Sequence, residues 1–179
     1  MKKSTALPLK TVAAIAMLSA ISIVCGKYLA FGVGDVLRFS LENLPILFAG
    51  LALGPVAGIL VGAVGDLVGC LLVGYAINPL ITLGAVAIGG ISGLCELLLK
   101  KLGAIRGVRI FIAVSLSHLA GSVVIKTLGL SAFYGMPLFA LMLWRLFNYL
   151  IIGTAEGLIL YFLFKNKSLN SMLNSMKSR

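Results

Sequence analysis

Residues 50–73 read GLALGPVAGILVGAVGDLVGCLLV, a run in which Asp66 is the one charged side chain. Gly54-Pro55 breaks the run, and on either side of the break Gly50, Gly54, Gly58 and Gly62 recur every four residues, followed by Gly65 and Gly69. Glycines at that spacing line up on one helix face, where they let two backbones approach closely. Such close approach matters most in lipid, which offers no hydrophobic drive for helix association. Gly89 and Gly93 repeat the spacing further on. The run therefore predicts two apolar helices joined at Gly54-Pro55 and packed, with a third, through small residues.

The rest of the chain fits a membrane solvent. Of 179 residues, 60% are hydrophobic and 11% charged, against about 25% charged in an average soluble domain. The mean hydropathy is +1.12. Breaks at charges, Gly-Pro and Asn-Pro divide the sequence into six apolar spans, at about 9–27, 41–53, 55–73, 79–99, 108–128 and 137–164. The second is short for a full crossing. The expected fold is an all-α membrane protein of six transmembrane helices in a single domain over 1–179, with no room beside the spans for an ATP-binding or soluble catalytic domain. Met1-Lys2-Lys3 and the apolar stretch after it resemble a signal peptide, but no small-x-small cleavage site ends the stretch, so it reads as a retained first helix.

The net charge of +10 raises nucleic acid as a partner, yet the basic residues sit at the ends of apolar runs and form no surface stripe. Topology accounts for eleven of the fifteen. Lys2, Lys3 and Lys10, then Lys100, Lys101, Arg106 and Arg109, then Lys165, Lys167, Lys177 and Arg179 all fall on one side if there are six spans. Positive charge is retained in the cytoplasm, so both termini are expected there.

Four basic residues break that distribution: Lys27, Arg38, Lys126 and Arg145. A charge in or near hydrocarbon costs several kcal/mol unless it faces a cavity or a partner, which makes each a candidate functional residue. Lys27 and Lys126 lie near span ends and read as side chains that snorkel to the headgroups. Arg145 sits about two turns into its helix, and Arg38 beside a helix start; for these two a cavity-facing role is expected. Asp35 and Glu42 flank Arg38, and Asp66 lies past the middle of the third span, where a pair with Arg145 is possible. Tyr75, Asn78, Tyr134, Trp144, Asn148 and Tyr149 cluster on the same outer half. Arg145 and Asn148 are three residues apart on one helix, and Asn78-Pro79 opens the fourth helix, whose free N–H groups suit an anion.

These residues describe an outward-facing pocket with guanidinium groups, aromatic planes and a few amide or carboxylate hydrogen-bonders. A planar heterocycle bearing carboxylates is its best physical match, because arginine forks bind carboxylates bidentately. Arg38 and Arg145, with Lys126 as a third cation, are assigned to the carboxylates or to a lid. Asp66 and Asn148 hydrogen-bond the heterocycle, Asn78 belongs to the site through the helix start it opens, and Tyr75, Tyr134 and Trp144 stack.

His118, the only histidine, lies mid-helix between Ser117 and Ser122 with no acid or second histidine near it in sequence, and reads as a packed, hydrogen-bonded side chain. Cys25, Cys70 and Cys95 have no metal-ligand spacing. No catalytic motif, cofactor signature or metal cluster is present, so the chain does not read as an enzyme. On the first helix Ala13, Ala16 and Ala20 form a smooth stripe that either packs internally or faces another membrane protein.

The series Arg38-Phe39-Ser40, Leu44-Pro45-Ile46, Ala49-Gly50, Gly54-Pro55, Gly58, Val61-Gly62, Asp66-Leu67 and Gly69, with the joint Gly74-Tyr75-Ala76-Ile77-Asn78-Pro79, resembles the substrate-binding S components of energy-coupling factor (ECF) vitamin transporters, and among these the folate-specific branch. The likeness is strongest over the first four helices. It implies a multi-pass protein of the bacterial cell membrane that captures folate outside and works with a transmembrane coupling protein and two cytosolic ATPase subunits. It further implies that the Ala13, Ala16, Ala20 stripe docks to the coupling protein and that the loop carrying Arg38 lids the pocket. Contact residues vary among branches, so those named above rest on this chain alone. The alternatives are an S component for another anionic vitamin or precursor such as pantothenate and, more distantly, a small intramembrane enzyme acting on lipid headgroups.

Overall fold

The protein was examined as a computed structural model, which describes residues 8–33 and 37–177, with side chains over 8–32 and 39–173. Helix α1, Leu9–Ile23, continues without a break into a π-helical turn, Val24–Tyr28. A small antiparallel hairpin follows, β1 (Phe31–Val33) against β2 (Leu37–Phe39), with Gly32 opposite Arg38. Then come α2 (Asn43–Leu53), α3 (Pro55–Val73) and α4 (Pro79–Lys101). The next helix has three parts: α5 (Arg106–Ser117), a π-helical segment His118–Ile125, and α6 (Lys126–Tyr134). The chain closes with α7 (Leu138–Lys165) and α8 (Lys167–Lys177).

Among the described residues, five continuous helices are long and apolar enough to cross a membrane: 9–28, Pro55–Val73, Pro79–Lys101, 106–134 and 138–165. The sixth apolar helix, α2, has eleven residues, a length of about 16 Å against a hydrocarbon core of about 30 Å. It packs inside the bundle, with Ile46, Leu47 and Ala49 all but inaccessible. The expected sixth span is thus a half-length helix, and its brevity has a local cause. Gly54 holds φ at +103°, a conformation closed to most side chains, and Pro55 starts α3 at once in a new direction.

The glycine spacing is spent where α2, α3 and α4 meet. A methyl group added at Gly58 would lie 2.7 Å from the carbonyl carbon of Gly89 and 2.9 Å from the Cα of Gly50. One added at Gly62 would lie 2.7 Å from the carbonyl carbon of Ala85. Backbone thus rests directly on backbone along this seam, a contact that gains dispersion energy without help from water. At one end of the bundle Phe48 and Phe164 stack with centroids 5.4 Å apart. The opposite end opens into a cavity.

Candidate functional site

The cavity, of about 400 Å³, lies where the π turn of α1, the start of α2, the last turns of α3, the start of α4, all of α6 and the first third of α7 converge. Gly26 makes the corner possible: a methyl there would sit 2.9 Å from Cβ of Glu42. Ser22 ties the same corner by donating from Oγ to the Glu42 carbonyl at 2.7 Å.

Among the described residues, five side chains that carry charge near neutral pH line the walls: Lys27, Lys126 and Arg145 against Glu42 and Asp66. Lys126 is 5% exposed and donates to Glu42 Oε1 at 3.0 Å and to Asn43 Oδ1 at 3.4 Å. Asp66 accepts from Thr82 Oγ1 at 2.6 Å. Lys27 lies 5.7 Å from the centroid of the Tyr75 ring and 3.8 Å from Cys70 Sγ. The wall therefore holds one more cation than anion, in surroundings where an unbalanced charge attracts a counter-charge strongly.

Arg145 is aimed by the helix behind it. In a π turn the backbone carbonyl is released from its usual i+4 donor, and such turns recur at functional sites. The Ser122 carbonyl, inside the π segment His118–Ile125, accepts from Arg145 Nε at 3.1 Å. The guanidinium also donates from NH2 to Tyr149 Oη at 3.3 Å and lies 5.5 Å from that ring's centroid. Tyr149 in turn stacks on His118, centroids 4.8 Å apart. His118 Nε2 is 2.6 Å from Oε2 of Glu156, a carboxylate with no accessible surface. A ladder thus runs from the cavity into the bundle: Arg145, Tyr149, His118, Glu156.

The structure brings Asp66, Tyr75, Lys126, Tyr134, Arg145 and Asn148 together around one cavity. Asn78 and Trp144 lie off it. Asn78 caps α4, accepting from Leu80 N at 3.0 Å and Ile81 N at 3.4 Å while donating to the Gly129 carbonyl at 3.0 Å. The helix start expected to receive an anion is thereby already filled. Trp144 is 51% exposed on the outside of α7, because one residue from Arg145 is a rotation of about 100°. The side chain of Arg38 lies outside the described residues, as does Asp35. Asp66 bonds to Thr82 and not to Arg145.

Two expectations of snorkelling are overturned. Lys27 and Lys126 turn inward to the cavity, Lys126 because the helix runs on to Tyr134 and puts it eight residues from the end. His118 does have an acid beside it. Among the wall residues assigned no binding role from the sequence are Lys27, Glu42 and Asn43, together with Tyr149, which was placed only in the outer cluster. A signal for the His118–Glu156 pair was present: two lone ionisable groups deep in apolar helices each demand a partner. Ala13, Ala16 and Ala20 are all exposed, on the side of α1 away from buried Ile15, Ser19 and Ser22. The stripe therefore does not pack inside this chain.

Residues 10–175 match the family described as ECF transporter, substrate-specific component. Among solved structures, the chain is similar to FolT bound with folic acid, at 27% identity and a TM-score of 0.71 over 89% of this chain and 96% of that one. It is also similar to the S-component for biotin from an ECF-type ABC transporter, at 20% identity and a TM-score of 0.64 over 88% and 92% of the two chains. The S component of a bacterial ECF transporter matches at 21% identity and a TM-score of 0.56 over 95% and 98%. The last two establish a shared fold. No curated protein matches this chain.

Proposed function

Because the chain belongs to the substrate-specific components of ECF transporters, which are multi-pass membrane subunits that bind vitamin substrates, we propose that its cavity takes up folate. The observation that carries this reading is the composition of the cavity wall: three cations, the rings of Tyr75, Tyr134 and Tyr149, and the Asp66 carboxylate around about 400 Å³. Carboxylates on the ligand match Lys27, Lys126 and Arg145. Asp66 and Asn148 accept from or donate to the edge of a planar heterocycle, and the tyrosines cover its faces. The likeness to FolT with folic acid supports the choice among vitamins.

The cavity opens away from the end that carries Lys100, Lys101, Arg106, Arg109 and Lys165. By retention of positive charge that basic end is cytoplasmic, both termini lie inside, and the cavity faces out. The hairpin carrying Arg38 closes over bound vitamin. Ala13, Ala16 and Ala20 dock a transmembrane coupling protein, and two cytosolic ATPases supply the energy for release inward. Calorimetric titration of the purified chain with folate, biotin and pantothenate tests the ligand. Submicromolar binding of folate alone is expected; tight binding of another vitamin with none of folate overturns the assignment.

A further inference from the structure

At the end of the bundle opposite the vitamin cavity, a second and smaller one, of about 140 Å³, opens between the ends of α2, α4 and α7, the start of α5, and α8. Among the described residues its charged lining is Lys100, Arg106 and Arg109 with a single acid, Glu96, an excess of two positive charges. Retention of positive charge on one side of a membrane requires only that such residues reach water. Arg109 does the reverse: its side chain is 11% exposed and bonds Glu96 Oε1 at 3.1 Å. Its Nε is buried without a hydrogen-bond partner among the described residues, although buried donors are nearly always satisfied. Arg106 spends NH1 on the Phe164 carbonyl and on Asn170 Oδ1, both at 2.9 Å. Its Nε and NH2 make no bond to described residues.

We propose that this cavity is a phosphate site, occupied by the headgroup of an anionic phospholipid. Guanidinium donors held in place, with spare N–H groups and unbalanced charge, are what a phosphate oxygen cluster requires. Basic pockets between helix ends are where anionic headgroups bind membrane proteins. The rim argues for a lipid as the source: Leu102 and Ile105, on the turn between α4 and α5, are 78% and 77% exposed beside the basic residues. Acyl chains cover such groups better than water does.

Native mass spectrometry of the full chain in detergent, titrated with phosphatidylglycerol, phosphatidylcholine or inorganic phosphate, tests the site. One phosphatidylglycerol binds, and phosphatidylcholine binds at least tenfold more weakly. Lys100→Gln weakens phosphatidylglycerol about fivefold, the worth of one lysine beside an anionic headgroup. Glu96→Gln strengthens it, because it frees Arg109, and an effect of that sign cannot come from damage to the fold. Inorganic phosphate binding with the same ranking of variants, in preference to the lipid, keeps the phosphate site and makes its source soluble. Equal binding of the two lipids, or adducts indifferent to both substitutions, overturns the proposal.

Discussion

The two halves of this bundle use opposite packing materials. Along α2, α3 and α4, glycine lets main chain touch main chain, as where a methyl at Gly58 would meet the Gly89 carbonyl carbon at 2.7 Å. From α6 and α7 long side chains bridge to other elements: Lys126 reaches Glu42, and Arg145 reaches the Ser122 carbonyl. The seam itself leaves no space, and the cavity opens where its outer end faces α6 and α7. The contrast shows how a small membrane protein combines rigidity with a binding site. One wall is fixed by backbone contact, and the other consists of groups whose hydrogen bonds a ligand can join or replace.

The sharpest way to break that contrast is to put a side chain into the seam. Gly58→Val should cost about 3 kcal/mol or more, since neighbours that are themselves backbone cannot yield as side chains do. Thermal unfolding in detergent reads the loss, and a normal melting temperature would refute backbone contact at the seam. Next in size, Lys126→Met removes the cation from beside the partly exposed Glu42, and breaking a pair buried on one side costs about 2 kcal/mol, less than the loss of a fully buried one. The pair Lys126→Met with Glu42→Gln should regain most of that stability; if the two losses simply add, the ion pair is not what joins α2 to α6. Arg145→Ala should lower the melting temperature less than Lys126→Met does, through the lost bonds to the Ser122 carbonyl and Tyr149, but weaken folate by ten- to a hundredfold, equivalent to about 1.5–3 kcal/mol for a charged hydrogen bond. An undiminished affinity in calorimetry would take Arg145 out of the binding wall. The smallest effect on the isolated chain is expected on α1, where Ala16→Leu adds bulk to an exposed position. Folding and vitamin binding should survive while uptake by cells carrying the full transporter fails; normal uptake would show that this face docks nothing.

The seam was legible in the sequence because glycine spacing and Gly-Pro or Asn-Pro starts are local signals, with Pro55 and Pro79 opening α3 and α4. The cavity wall was legible only in part. Arg145 and Asn148 could be paired because three residues along a helix share a face. Trp144, a direct neighbour, was misread for the same geometric reason. Lys126 and Glu42 are 84 residues apart, and nothing local announces that each is the other's partner. The length of the helix through Lys126 misled as well: counted to a standard span, it ends near residue 128, whereas it continues to Tyr134. The glycines behind it have their own geometry, since a methyl at Gly84 would lie 2.5 Å from Lys126 Cγ. The small residues of α4 therefore make room for the lysine's stem as well as for a neighbouring backbone.

The π-helical segment His118–Ile125 also sets a phase. A π turn holds an extra residue relative to an α turn, so everything after it on the same helix is dialled round by about 100°. Winding this segment as regular α-helix with every residue kept would leave composition, hydropathy and span length almost untouched. It would nonetheless swing Lys126, Leu130 and Tyr134 away from the cavity they line. Three residues of the cavity wall are thus addressed by counting, and the surplus residue of the π segment is what keeps them turned to the cavity.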